Sequence, residues 1–219
     1  MKKWSWLYGL GGLLIVGMIW FTTAQPIVVL PRIRLAPGYS LTAPGGKTVT
    51  SETVRGSLTL YTFAYTQCGP GCERTYQILT ELDQILPAPA AGEIPVQVLT
   101  ISIDPARDTP AALSAFTPPA ALTALPWTWL TGSPERIQAL VGDGFGVFFH
   151  TDPDGGLVYN PRMFLVDGWG IIRGQYDVAT LRASVLQRDI GLVRGEIQKS
   201  TGAARMAYEA AHFFACYPH

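Results

Sequence analysis

"YTQCGPGCERTY", residues 65–76, sets two cysteines four positions apart across Gly69, Pro70 and Gly71, directly after the run "LTLYTFAY" (58–65). A nearly continuous apolar and β-branched run of that length reads as a central strand buried on both faces. Beyond it, Tyr76, Leu79, Leu82, Ile85 and Leu86 recur at helical spacing and the pattern stops at Pro87, which predicts a helix from Cys72 to Leu86. The cysteines therefore stand where a buried strand turns into the first long helix of the domain.

The rest of the chain repeats this alternation. "YSLTAPGGKTVTSETVRGS" reads as a hairpin turning at Pro44-Gly45-Gly46, and "VQVLTISID" as a second buried strand. "TPAALSAF" opens a helix with Thr109 as cap and Pro110 in the first turn, and "SPERIQALV" repeats that opening at Ser133 and Pro134. "WTWLTG", "GVFF", "RMFLVD" and "GIIRGQY" read as strands, and a helix is predicted from Val178 to Ile190. Alternating strands and helices, followed by a strand pair and a closing helix, predict an α/β sandwich around one mixed sheet. With a cysteine pair where the first long helix begins, the arrangement is thioredoxin-like.

A helix amino terminus presents unpaired N–H groups and the positive end of a dipole, and both favour thiolate over thiol. Sulfurs one turn apart there have a Cα separation of about 6 Å, inside the range of a disulfide. Three uses stay open: thiol–disulfide exchange, a copper(I) site built on two soft sulfurs, or a static bridge. The last is a poor staple, because closing so short a loop removes little unfolded-chain entropy.

With 16 basic and 16 acidic residues, the chain offers no charge excess for a nucleic acid partner. Lys2-Lys3 precede a charge-free stretch from Trp4 to Gln25, long enough at about 1.5 Å per residue to cross about 30 Å of hydrocarbon. The lysine pair places the amino terminus in the cytoplasm and the remainder outside the inner (cytoplasmic) membrane, on the periplasmic side, where paired thiols mean redox or metal chemistry. A cleaved signal peptide ending near "TTAQ" is the competing reading, and the length of the apolar stretch favours a retained single-pass anchor. The expected organisation is an anchor at 1–25, a proline-rich extended spacer at 26–38, a thioredoxin-like domain at 39–195 and a helical tail at 196–219.

The segments "FAYTQCGPGC", "SIDPARDTPAALSAF", "WTWLTGSPERIQAL" and "MFLVDGWGIIRGQY", in this order and spacing, resemble the Sco/SenC family of membrane-anchored, thioredoxin-fold proteins over roughly residues 39–190. The resemblance implies a role in building the copper centre of a cytochrome oxidase, by delivering copper or by keeping that centre's cysteines reduced. The partner would be the oxidase subunit that carries the centre or another exported thiol protein. In the family, copper is held by the two cysteines and by a histidine in an Asp-His-Ser segment ahead of the strand that here reads "MFLVD". A gapless alignment puts Val158, Tyr159 and Asn160 on those positions, so the copper histidine is absent. His150 is the remaining candidate third ligand beside Cys68 and Cys72.

"NPRMFLVD" also resembles the pattern of thioredoxin-like reductases in which a cis proline precedes the strand and faces the disulfide. Pro161 occupies that place, which favours thiol–disulfide exchange, a reaction that needs no cofactor. Cys68 would attack a partner disulfide and Cys72 would resolve the mixed disulfide. Asp104, Arg107 and Asp108 are expected to fix the loop after the second strand and cap the next helix, with Arg107 available to lower a thiol pKa. Gln67 is expected on the rim and Tyr65 in the core. The tail "STGAARMAYEAAHFFACYPH" is expected to form an amphipathic helix capped near Ser200 that packs on the domain or on a partner, while His212, Cys216 and His219 define no particular metal site.

Overall fold

The computed structural model describes residues 5–24, 28–68, 70–153, 156–200, 202 and 204–214. Helix α1 covers Ser5–Ala24. There follow β1 (Arg34–Leu35), β2 (Ser40–Thr42), β3 (Thr48–Thr50), β4 (Leu58–Ala64), α2 (Pro70–Ile85), β5 (Val96–Ser102), α3 (Pro110–Ala115), β6 (Trp127–Leu130), α4 (Pro134–Ile137), β7 (Phe149–Thr151), β8 (Leu157–Tyr159), β9 (Arg162–Val166), β10 (Ile171–Asp177), α5 (Ala183–Lys199) and α6 (Ala204–Phe214). Six strands form one mixed sheet in the order β1-β10-β9-β4-β5-β6, with β4, β5 and β6 parallel and β9 running antiparallel to β4. Each half of the sandwich owes its existence to the period of two along these strands. Leu58, Leu60, Val96, Val98, Met163 and Leu165 face α2 and α5, while Tyr61, Phe63, Leu99, Ile101, Phe164 and Val166 face the layer that holds Leu113 of α3 and Ile137 of α4.

The two predicted cap-then-proline openings are formed: Ala112 N–H donates to Thr109 Oγ1 at 3.2 Å and Arg136 N–H to Ser133 Oγ at 3.4 Å. Other boundaries moved for local reasons. The helix predicted from Val178 begins at Ala183, because the Asp177 carboxylate accepts from Ala179 N–H (2.9 Å) and its carbonyl from Leu181 N–H (3.0 Å), which holds a turn in front of it. It then runs to Lys199, past Gly191 and Gly195, because buried Val193 and Glu196 on its inner face outweigh the cost of about 1 kcal/mol per glycine. Ser200 therefore ends α5 rather than opening the tail helix. The strand predicted at "GVFF" begins three residues late. A π-helical segment, Gln138–Gly144, extends α4, Phe145 N–H closes on Leu140 O at 2.9 Å, and Gly146 leaves it at φ 72°.

The described part of the spacer lies against the domain instead of standing off from it. Val29 and Leu30 are fully buried and β1 adds an edge strand to β10. The physical reason is Arg173 of β10, a fully buried cation. Its guanidinium pairs with Asp167 (3.2 Å) and Glu196, and donates to Leu30 O (2.8 Å) and Pro31 O (3.2 Å). Glu196 also meets Arg32 (3.1 Å) and His212 of α6 (2.9 Å), and Arg32 reaches Glu209 (3.1 Å). A buried charge must be paired on every side, so one arginine ties the incoming chain, β10, α5 and α6 into one unit. His212 is thereby engaged in a carboxylate contact, and Cys216 and His219 lie outside the described residues.

Side chains of α1 are described for residues 6–19, about 21 Å of helix at 1.5 Å per residue, and among the described residues no helix is long and apolar enough to cross a membrane.

Burial alone would raise the Glu196 carboxyl, but the hydrogen bond with His212 and the charge and hydrogen bond of Arg173 overcome it and bring the value down to about 2. The unfolded chain takes up that proton first, so this contribution to stability is complete above the ordinary carboxylate range and is lost as pH falls toward about 2. In acid unfolding followed by circular dichroism, the stability gap between wild type and Glu196→Gln should close between pH 5 and about 2; a gap that does not change with pH would contradict the assignment.

Candidate functional site

Thr66, two residues before Cys68, is held at the mouth of the sheet by Asp108. The buried Asp108 carboxylate accepts from Thr66 N–H (3.0 Å), from the Thr66 hydroxyl and from the Ser102 hydroxyl, so the exits of β4 and β5 are fastened together. Asp104 pairs with Arg107, whose guanidinium reaches Gln67 Oε1 at 3.4 Å, and Gln67 is exposed while Tyr65 is buried. Loop fixing is thus the part that "DPARDTP" plays, with Arg107 engaged to Asp104 and Gln67.

Cys68 lies just ahead of α2 and Cys72 in its first turn. They form a disulfide with a Cα separation of 5.7 Å. Cys72 is completely buried, and Cys68 retains 8% of its surface at the end of a groove of about 800 Å³. Thioredoxin-type attack needs one approachable sulfur and one sheltered resolving sulfur, and the two positions differ in that sense.

The third group at the disulfide is Tyr159. Its oxygen lies 3.3 Å from Cys72 Sγ and 3.9 Å from Cys68 Sγ, and its O–H donates to Phe63 O of β4 at 2.9 Å. Burial, with Tyr76 and Tyr65 nearby, pushes the phenol above its ordinary pKa, so it stays protonated. With the only proton committed to a carbonyl, the oxygen presents lone pairs to the sulfurs. It can accept from a Cys72 thiol and disfavours a Cys72 thiolate.

The hairpin β7/β8 explains the fate of His150. Phe149 pairs with Tyr159 and His150 with Val158. Directly opposed residues share a face and successive residues alternate, so the face that carries Tyr159 to the sulfurs turns the exposed His150 away from them. His150 is not brought to the cysteines. Pro161 is also set aside as a reductase-type cis proline: its peptide bond is trans, and its carbonyl accepts from Val178 N–H at 3.1 Å beyond the end of β10. The residue that meets the disulfide is two positions earlier in the chain. Gapless alignment places Tyr159 on the family's histidine position, but its contact with Phe63 O depends on a strand, β8, that the sequence pattern did not announce.

As a copper site this donor set lacks the family's third ligand. Two sulfurs are present, but the third position offers a neutral phenol, and among the described residues no group of three or more His, Cys, Asp or Glu side chains could hold a metal ion.

Residues 30–193 match the family model SCO1/SenC. A candidate copper-binding protein of Stutzerimonas stutzeri is 29% identical over 165 residues, 74% of this chain and 78% of its own. Among solved structures, a SCO1/SenC family lipoprotein from Bacillus anthracis superposes with a TM-score of 0.62 at 22% identity, over 72% of this chain and 94% of that one. BsSco, described as a member of the Sco family of cytochrome c oxidase assembly proteins in which a disulfide switch was identified, gives 0.60 at 23% identity, over 74% and 95%. These likenesses establish the α/β thioredoxin-like fold.

The burial difference has a direct consequence in the reduced protein. Alkylation with iodoacetamide, followed by peptide mass spectrometry, should modify Cys68 at least about tenfold faster than Cys72, because reactivity tracks thiolate character and exposure. Equal rates at the two sulfurs would contradict the assignment of roles.

Proposed function

The chain belongs to the SCO1/SenC family, and from that premise we propose that it is a membrane-anchored thiol–disulfide exchange protein serving the assembly of a cytochrome oxidase copper centre. The family match and the description of BsSco as a member of the oxidase assembly proteins support the setting. The charge-free stretch 4–25 behind Lys2-Lys3, helical from Ser5 to Ala24, supports a single-pass anchor in the inner membrane with the domain on the periplasmic side.

One observation carries the choice of mechanism: a neutral tyrosine hydroxyl, bonded to the Phe63 carbonyl, stands at the disulfide where the family's copper histidine belongs. In the reduced protein Cys68, at the positive end of α2, attacks a sulfur of the client disulfide as thiolate. The client S–S bond breaks and the released client sulfur takes a proton. Cys72, losing its proton, then attacks Cys68 Sγ, the mixed disulfide breaks, and the second client thiol leaves. Two electrons have passed to the client, and the protein is left with the Cys68–Cys72 disulfide seen in the structure. An exported dithiol protein must return it to the reduced state. The client is an oxidised cysteine pair of the oxidase subunit or of another exported thiol protein. Copper, where it meets this protein, is cargo held by two sulfurs.

Two assays on the full chain in detergent separate exchange from copper carriage. Wild type should reduce a small-molecule disulfide and Cys68→Ser should not. In copper(I) competition against a chromophoric chelator, Tyr159→His should bind at least about a hundredfold more tightly than wild type, because imidazole supplies the missing third donor, while His150→Ala should match wild type. Retention of copper by wild type as tight as by Tyr159→His, lost in His150→Ala, would contradict the proposal in favour of a copper carrier.

A further inference from the structure

We infer that the groove beside Cys68 is the docking site for an extended, cationic segment of the client, which brings the client cysteine to the Cys68 sulfur; this deepens the exchange reading above and rests on it. One wall of the groove is the exposed face of α2, where Glu73, Gln77, Glu81 and Gln84 follow one another at helical spacing. The opposite wall is the segment after α3, with Phe116, Thr117, Pro119 and Ala120, and Thr66 and Cys68 stand at the end of the groove. Among the described residues, two carboxylates line it and no lysine or arginine does.

The second wall is built to be rigid while leaving its backbone free. Phe116 is fixed against Trp129, with ring centroids 5.1 Å apart. At the other end Asp83 accepts from the backbone N–H groups of Thr123 (2.8 Å), Ala124 (2.9 Å) and Leu125 (2.7 Å), and these bonds hold its carboxyl below the ordinary value against the opposing effect of burial. Between these anchors, residues 117–122 take part in none of the described backbone hydrogen bonds. Pro118 and Pro119 have no N–H, so the wall offers mainly backbone carbonyls, with the N–H groups of Thr117, Ala120 and Ala121, and an extended peptide can supply complementary groups along its length.

Spacing sets the composition of the segment. Glu73 and Glu81 lie eight residues apart on one helix, about 12 Å, which an extended chain covers in about four residues. Residues four apart in an extended chain point the same way, so two cations at that spacing, next to the client cysteine, would meet both carboxylates. The attraction is that of exposed charges at a rim, which raises encounter and affinity.

Binding is tested with the full, oxidised chain in detergent and two fluorescent peptides, one with lysines four apart and one with glutamates there, each carrying serine in place of cysteine. Anisotropy should show the lysine peptide binding at least about tenfold more tightly at low salt, with the difference erased in Glu73→Gln/Glu81→Gln. Equal binding of the two peptides, or a lysine preference that survives the double substitution, overturns the inference. A parallel assay uses the reduced chain with hydroxyethyl disulfide, which is too small to use the groove. Wild type should reduce it and Cys68→Ser should not. Failure of wild type to reduce it would count against the exchange chemistry, while the anisotropy result still decides the groove.

Discussion

Tyr159 has a single hydroxyl proton, and the Phe63 carbonyl takes it. From that constraint follows much of what the site can do. The oxygen sits within reach of both sulfurs but has only lone pairs to offer them, so it holds Cys72 toward its neutral thiol and supplies no anionic or imidazole donor for a metal. Complete burial of Cys72 acts in the same direction, because a thiolate there would be poorly solvated.

Placing that hydroxyl requires most of the domain. Phe63 is fixed by β4 at the centre of the sheet, with β9 on one side and β5 on the other. The hairpin that carries Tyr159 packs its Phe149 and Leu157 against the same apolar layer as the two cysteines. Asp108 fixes the turn just ahead of Cys68, binding Thr66 and Ser102 at once. The Arg173 cluster lies away from this site, on the edge where β1, α5 and α6 meet, and stabilises the fold without touching the sulfurs.

The parts of the fold legible in the sequence were those encoded locally. The continuous apolar and β-branched run of β4 and the helical spacing of α2 placed the cysteines, and the Thr109-Pro110 and Ser133-Pro134 openings named their own caps. Less legible were features set by distant partners. β1 exists because Arg173 draws residues 30–34 onto the sheet edge, and no local pattern in a proline-rich stretch reports that. α5 outruns its predicted end because buried contacts override two glycines. At the site, the cysteine pair and its loop were readable, and so was the loss of the histidine. The sequence did not reveal which group takes its place in space. Proline at position 161 carried a motif-level signal for a cis bond, whereas the side chain that reaches the disulfide is set by the β7/β8 register, which also turns His150 outward.

The central claim is that Cys68 and Cys72 form one reversible two-electron couple within the folded protein. The direct measurement is equilibration of the full chain in detergent with graded mixtures of reduced and oxidised dithiothreitol, trapping of free thiols with a maleimide, and counting of the labels on each cysteine by mass spectrometry. A single transition is expected in which Cys68 and Cys72 appear together as free thiols, with the ratio of reduced to oxidised protein changing tenfold per about 30 mV, while circular dichroism stays native throughout. Labels that appear on the two cysteines at separate potentials, or only after the fold is lost, would contradict it.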